Sequence, residues 1–340
     1  MVRLAVAAPA LPASPETVPP GPVGERSFRA VVMSDVNGPY GSTTYRDEVH
    51  TLVRRVVQEL RPELVISAGD LVAGQRRGLT EEQLEAMWAG FHTAVVGPLR
   101  EAGIPFLPAA GNHDASGYPA FAKEREKYAD VWRREGFRPD LEVIEDGDVG
   151  YPLAYGVTFK GVGVLVMDVT TVERLPDGTW AWVERMVGRL RETAGEAGDV
   201  VAVSHVPPYP VTVGRERETI PAPDDDRMVE LLEKLGVRVW FTGHHHGYFK
   251  GRRGGEAGRA AWGGLHLVSL NACGDGPRRL IGTASPQPQS VVVMDVEDGR
   301  VVRVFAVQWD GAVVSDRELP EVLAAEGQEL LRWDVPPSTP

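Results

Sequence analysis

The stretch FRAVVMSDVNG, residues 28–38, joins an apolar run to a polar end. FRAVVM has the composition of a buried strand. Alternation puts side chains i and i+2 on one face, so Asp35 and Asn37 can reach one point in space. On this fragment alone a plain turn competes, because Asp, Asn and Gly are favoured turn residues. A calcium-binding loop does not fit, since Pro39 and Arg46 stand where acidic ligands belong.

Outward from this point the pattern repeats. Residues 45–60 carry apolar residues at helical spacing, and ELVISAGD reads as the next strand, closing on Asp70. Residues 80–96 form a second helix, IPFLPAAGNHD a third strand running into a polar turn, and residues 119–134 another helix. YPLAYGVTFKGVGVLVMDV reads as two strands joined by a Lys-Gly turn, an antiparallel hairpin rather than a crossover unit. A helix over 180–194, the strand DVVAVSHVPPY, a helix over 224–235, the strand VRVWFTGHHHG and several strands between 260 and 307 complete the series. Short β-branched runs alternating with amphipathic segments argue for the α/β class: two mixed sheets packed together with helices outside. No internal repeat or clean domain boundary stands out.

Residues 1–27, rich in Pro and Ala, read as a disordered lead-in or the remnant of an export signal, ahead of a domain over 28–312. Residues 313–340 read as a short packed extension followed by disorder. The Gly- and Arg-rich stretch KGRRGGEAGRA, residues 250–260, reads as a mobile loop. Asp224, Asp225 and Asp226 open a helix, where acidic residues favour capping and the dipole rather than a metal.

The 340 residues are 43% hydrophobic and 25% charged, enough for a large core. No apolar run approaches the roughly 18 residues of a membrane-spanning helix. A formal net charge of −12 argues against general nucleic-acid binding and against an anionic membrane surface as partner. It leaves room for a small phosphorylated substrate, because a local metal ion outweighs the global field. The single Cys273 rules out an intrachain disulfide and reads as a core residue. The expectation is a cytoplasmic protein, or an exported one if the true N-terminus carries a signal. Nothing in the sequence signals an oligomeric state.

Five strand ends finish in metal-binding residue types: Asp35 with Asn37, Asp70, Asn112 with His113, His205, and His244 with His246. Each alone has a plain structural explanation as a turn or a solvated loop. Together they fall where ligands of open α/β sheets collect, beyond the carboxyl ends of strands. Carboxylate, carboxamide and imidazole suit Mn, Fe, Zn or a mixed pair, and the lack of thiolate argues against a structural zinc site.

These residues resemble the calcineurin-like metallophosphoesterases, the superfamily of purple acid phosphatases, whose pattern runs D-x-H, GD, GNH[DE], H and GHxH. Here the parts read SDVNG, AGDLV, GNHD, SHVPPY and TGHHHG, and the resemblance covers about residues 28–310. It implies a two-sheet sandwich flanked by helices, four layers in all, and hydrolysis of phosphomonoesters or phosphodiesters at a dinuclear centre of divalent or mixed-valence ions. Asp70 would bridge both ions, Asp35 and His246 would hold the first, and Asn112, His205 and His244 would complete the second. The nucleophile would be a hydroxide activated by the ions. His113 would stabilise the phosphoryl charge or protonate the leaving oxygen, and Asp114 would orient His113. Alternation points His245 away from the metals. Tyr40 and Tyr209, beside the first and fourth motifs, are placed to line the substrate pocket. Arg252, Arg253, Arg278 and Arg279 read as solvated surface arginines or as phosphate binders at its mouth.

The departure is Asn37, where the family pattern has a His. A carboxamide oxygen can coordinate but is a harder, weaker donor than imidazole toward late transition metals, or it can orient a bound water instead. Two further readings follow: a phosphoesterase fold kept as a binding or scaffold module, and an extracellular or periplasmic nucleotidase with a longer N-terminus. Asn37→His is expected to tighten the first metal or shift its preference toward Zn, as read by metal analysis. Unchanged content and affinity would count against coordination by Asn37.

Overall fold

FRAVVM forms β1 (Phe28–Met33), buried along its whole length, as a strand covered on both faces must be. The computed structural model describes residues 11–147, 149–195, 198–254 and 264–335. After β1 comes α1 (Asp47–Arg55), which buries Val49, Leu52 and Val53 and continues as a π-helical turn to Leu60. β2 (Leu64–Ser67) follows, then α2 (Glu81–Phe91), a second π-helical turn and α3 (Gly97–Glu101). Thr80 and Gln83 start α2 with reciprocal hydrogen bonds, satisfying two otherwise orphaned donors. β3 is only Phe106–Leu107. The longer strand expected there stops because Pro108 has no N–H for the ladder, and Asn112–Ala115 coils into α4.

Next come α5 (Ala122–Arg133), β4 (Val143–Ile144) and the expected hairpin of β5 (Tyr155–Phe159) and β6 (Val162–Val166). Lys160 and Gly161 turn it with φ of 44° and 82°, both left-handed as a two-residue hairpin turn requires. The chain continues through α6 (Gly178–Ala194), β7 (Val200–Ser204), α7 (Asp224–Lys234), β8 (Val239–Thr242) and β9 (Phe249–Arg253). β10 (His266–Ser269), β11 (Ser290–Glu297), β12 (Arg300–Gln308), β13 (Val322–Ala325) and β14 (Gln328–Arg332) complete the described elements.

Two mixed sheets result, flanked by helices. One has the order β12-β11-β1-β2-β3, the other β13-β14-β9-β10-β8-β7-β6-β5-β4. β1 runs parallel to β2 and antiparallel to β11, while β6, β7, β8 and β10 run parallel to one another. Phe28 of one sheet meets Phe159 of the other edge to face, centroids 4.9 Å apart. The apolar stripe of α6, with Trp182, Met186 and Leu190, covers β5 and β6. Phe106 and Trp132 stack at 5.4 Å and join β3 to α5. Among the described residues no helix is long and apolar enough to cross a membrane.

Three sequence expectations are corrected here. Of residues 1–27, expected to be a disordered lead-in, 1–10 lie outside the described residues and the following segment is held: Leu11 is buried, and Ser14 gives its N–H and hydroxyl to Asp316 at 2.7 and 2.8 Å. The segment after 313, expected as a short packed extension beyond the 28–312 domain, does pack, but as part of the domain's own sheet: it supplies β13 and β14, and β14 pairs along β9 with Leu331 opposite Arg252, while residues 336–340, expected to be disordered, lie outside the described residues. That pairing also covers an otherwise open sheet edge. The stretch expected as a mobile loop begins as β9, while its remainder from 255 on lies outside the described residues. Its composition misleads because a cation can be buried where an acid and a carbonyl from elsewhere in the chain receive it. Lys250 is fully buried, donating to Val304 O at 2.9 Å, 3.5 Å from Asp316 Oδ1 and 4.6 Å from the centre of the Trp333 ring.

Burial pushes the Lys250 ammonium from its ordinary 10.5 down to about 8, against the pull of Asp316. Between those values the unfolded chain holds a proton that the folded chain has released, so Lys250 makes stability rise with pH. The unfolding free energy of the wild-type chain should therefore climb from pH 8 to pH 10.5 by on the order of 2 kcal/mol more than that of Lys250→Met. Parallel profiles would contradict this.

Candidate metal centre

The polar ends of β1, β2, β7 and β8 converge with the loop after β3. Backbone bonds tie them: Asp35 N–H donates to Gly69 O at 3.0 Å, Val36 N–H to Asp70 O at 2.9 Å and Gly243 N–H to His205 O at 3.0 Å. Approach is close enough that a Cβ on Gly111 would collide with the amide nitrogen and carboxylate of Asp70. Only glycine fits there. Asp35, Asp70, His244 and His246 adopt left-handed φ of 51°, 56°, 64° and 54°. Left-handed backbone costs a non-glycine residue roughly 1–2 kcal/mol, and such strain collects at functional sites.

Asp70, His205 and His244 form one cluster, their ligand atoms all within 4.8 Å of one another. His205 Nδ1 lies 2.8 Å from Ala68 O. A carbonyl only accepts, so Nδ1 carries the proton and Nε2 presents its lone pair. Yet Nε2 faces two further acceptors, Asn112 Oδ1 at 2.9 Å and Asp70 Oδ2 at 3.2 Å. Burial pushes the His205 imidazole down, and the Asp70 carboxylate more than reverses this, to about 9. The position calls for a cation, either a second proton or a metal ion.

Asp35 and His246 repeat the arrangement. His246 Nδ1 lies 2.8 Å from Gly276 O, and its Nε2 is 3.0 Å from Asp35 Oδ1. Burial raises the Asp35 carboxyl, but the charge and hydrogen bond of His246 bring it to about 2. Burial likewise opposes ionisation of Asp70, while His205 and His113 hold its carboxyl far below the usual range. The two groups touch through the His244 N–H, 3.1 Å from Asp35 Oδ2. Burial pushes His244 down to about 4, keeping the ring neutral as a metal ligand must be. This donor set fits divalent ions: ionised carboxylates, a carboxamide oxygen and imidazoles oriented by backbone carbonyls.

The other residues singled out in the sequence fall as follows. His113 lies at the edge of the cluster, its N–H donating to Asp70 Oδ1 at 2.8 Å and its Nε2 3.8 Å from Asp70 Oδ2. Gly74 O, 3.3 Å from Nδ1, orients the ring. Asp114, expected in that role, instead accepts from Leu71 N–H at 3.0 Å and Gly111 N–H at 3.2 Å, locking two of the converging loops together. Asn37 is buried near Asp35, but its carboxamide bonds locally, Nδ2 to Gly38 O at 3.4 Å. The Tyr40 ring lies against His113, centroids 4.8 Å apart and planes tilted by 31°. Tyr209, expected to line the pocket, is buried and donates its hydroxyl to Asp226 at 2.6 Å, so its ring offers no surface to a ligand. His245 turns from the cluster, its Nδ1 accepting from Val211 N–H and its Nε2 meeting Glu218 O.

Of the four arginines, Arg253 pairs with Asp226 and Glu230, and Arg252 is buried in β9 and donates to Val335 O. Arg278 is at the site, its guanidinium 3.5 Å from His244 O. Three residues escaped the sequence reading. Gln75 accepts from Asn112 Nδ2 at 2.8 Å, and Glu218, ion-paired with Arg215, stands 3.3 Å from His244 Nε2. Their only signal is nearness in the fold, because none belongs to a motif.

A family model described as calcineurin-like phosphoesterase matches residues 28–248. Among curated proteins none matches the chain by sequence. Of solved structures, a purple acid phosphatase from yellow lupin (Lupinus luteus) seeds superposes with a TM-score of 0.62 at 14% identity, over 85% of this chain and 53% of that one. The chain thus spans about half the length of the lupin protein. A dimetal phosphatase from Danio rerio matches with a TM-score of 0.47 at 14% identity, over 83% of this chain and 99% of that one. The lupin likeness shows a shared fold of two mixed sheets flanked by helices.

Asp114→Ala strands two buried N–H groups, and each unpaired group costs about 1–3 kcal/mol. Urea unfolding should show a loss on the order of 2 kcal/mol or more, with lower metal occupancy because the Asp70 and Asn112 loops part. Unchanged stability would remove Asp114 from this role.

Proposed function

The chain belongs to the calcineurin-like phosphoesterase family, and from that premise we propose that it hydrolyses phosphoric esters at two metal ions. Asp70 would be shared between them, with Asp35 and His246 holding one and Asn112, His205 and His244 the other. One observation carries the reading: His205 Nε2, its other nitrogen committed to Ala68 O, faces two acceptors at 2.9 and 3.2 Å. Such a contact is repulsive until a proton or a metal ion stands between the groups, and three further donors gathered at the same place suit the metal. Bound there, divalent ions supply Lewis-acid stabilisation of phosphoryl charge and lower the pKa of water.

The chain's own groups supply the rest. Backbone carbonyls of Ala68 and Gly276 fix the tautomers of His205 and His246, which sets ring orientation and basicity. His113, with Nδ1 on Gly74 O, points Nε2 toward the Asp70 side. There it would stabilise charge on the phosphoryl group or hand a proton to the leaving oxygen. Arg278, half-buried beside His244, adds positive charge on the same group, and Tyr40 lines the approach. Asn37 supports a second reading, a fold kept for binding, which fewer than one tightly held ion per chain would select.

The test uses the full chain reconstituted with Mn and assayed on aryl phosphomonoesters and phosphodiesters. Asp70→Ala should lower hydrolysis by more than the roughly hundredfold lost when a ligand's supporting hydrogen bond is removed. A chelator should abolish activity and Mn restore it. Equal turnover by wild type and Asp70→Ala, or none by either, overturns the proposal.

A further inference from the structure

Tyr40 is the most exposed aromatic residue of the described chain, at 57%. Its position is nonetheless fixed. The loop that carries it follows directly from SDVNG, and the next residue, Gly41, donates its N–H to Ala73 O at 2.7 Å. Arg76 reaches back to the Tyr40 carbonyl at 3.4 Å. One part of the ring packs on His113, centroids 4.8 Å apart and planes inclined by 31°. The hydroxyl has no hydrogen-bond partner among the described residues, and more than half of the residue is open. An aromatic face held in place by two loops, yet left uncovered, has its ordering cost met before any ligand arrives.

The ring lies against the one imidazole placed at the leaving oxygen. We propose that Tyr40 is a stacking platform for the leaving group, and that the chain therefore selects phosphoric esters whose leaving group carries a flat aromatic ring. The inference rests on the reading of His113 given above. An ester seated with its leaving oxygen at His113 Nε2 extends its next atoms past that ring, and Tyr40 is the aromatic surface in contact with it. Face-to-face or offset stacking rewards a planar ring and discriminates against a puckered ring of equal size.

Benzyl phosphate and cyclohexylmethyl phosphate separate these cases, because both leave as primary alkoxides and differ in the flatness of a six-carbon ring. The Mn-loaded full chain should prefer benzyl phosphate in kcat/KM, and calorimetric binding of the same two esters should show the same order. Tyr40→Leu should cost benzyl phosphate about tenfold more than it costs the cyclohexylmethyl ester, within the range of ring stacking on an aromatic side chain. Tyr40→Phe should keep the preference. Equal loss on both esters would make Tyr40 only a support for His113, and absence of preference in the wild type would also overturn the proposal. If the wild type hydrolyses neither ester, the hydrolytic reading fails, and the binding preference with its loss in Tyr40→Leu still decides the platform.

Discussion

Two carboxylates closed off from water, Asp35 and Asp70, each face an imidazole nitrogen whose partner nitrogen is already committed to a backbone carbonyl. Burying ionised carboxylates is costly unless a cation answers them. With the carboxylates ionised and Nδ1 of each ring carrying its proton, the facing atoms are all acceptors. A shared proton or an ion must stand between them. The rest of the site exists to hold this opposition together.

The fold does so by bringing strand ends from both sheets to one place. β1 and β2 deliver Asp35 and Asp70, β7 and β8 deliver His205 and the two outer histidines of GHHH, and the turn after β3 delivers Asn112 and His113. Left-handed backbone at four of these residues stores strain that the surrounding hydrogen bonds must offset. Asp114 provides two such bonds, and Gly111 allows the approach that they require. Outside the cluster, Lys250, Asp316 and Ser14 tie the N-terminal segment, β9 and the C-terminal segment into the same body.

Much of this was legible in the sequence, for a specific reason. A polar residue of metal-binding type just past a β-branched run is visible without knowing what lies beside it, and five such ends in one chain made the convergence readable. Contacts set by tertiary packing were not. Asp114 sits beside His113 in the chain, but helical geometry turns its oxygens to Leu71 and Gly111. Tyr209 sits beside a motif and faces Asp226. Gln75, Arg215 and Glu218 belong to no motif and reach the site only through folding. The Gly- and Arg-rich stretch concealed β9, because the acid and the ring that receive Lys250 come from the last fifth of the chain.

Anomalous diffraction from crystals of the full chain grown with Mn tests the central claim most directly. The account predicts two peaks, one among Asp70, Asn112, His205 and His244 and one among Asp35, Asp70 and His246, with the imidazole nitrogens turned to them. No peak in this cluster, with the same imidazoles still bonded to the carboxylates, would contradict it.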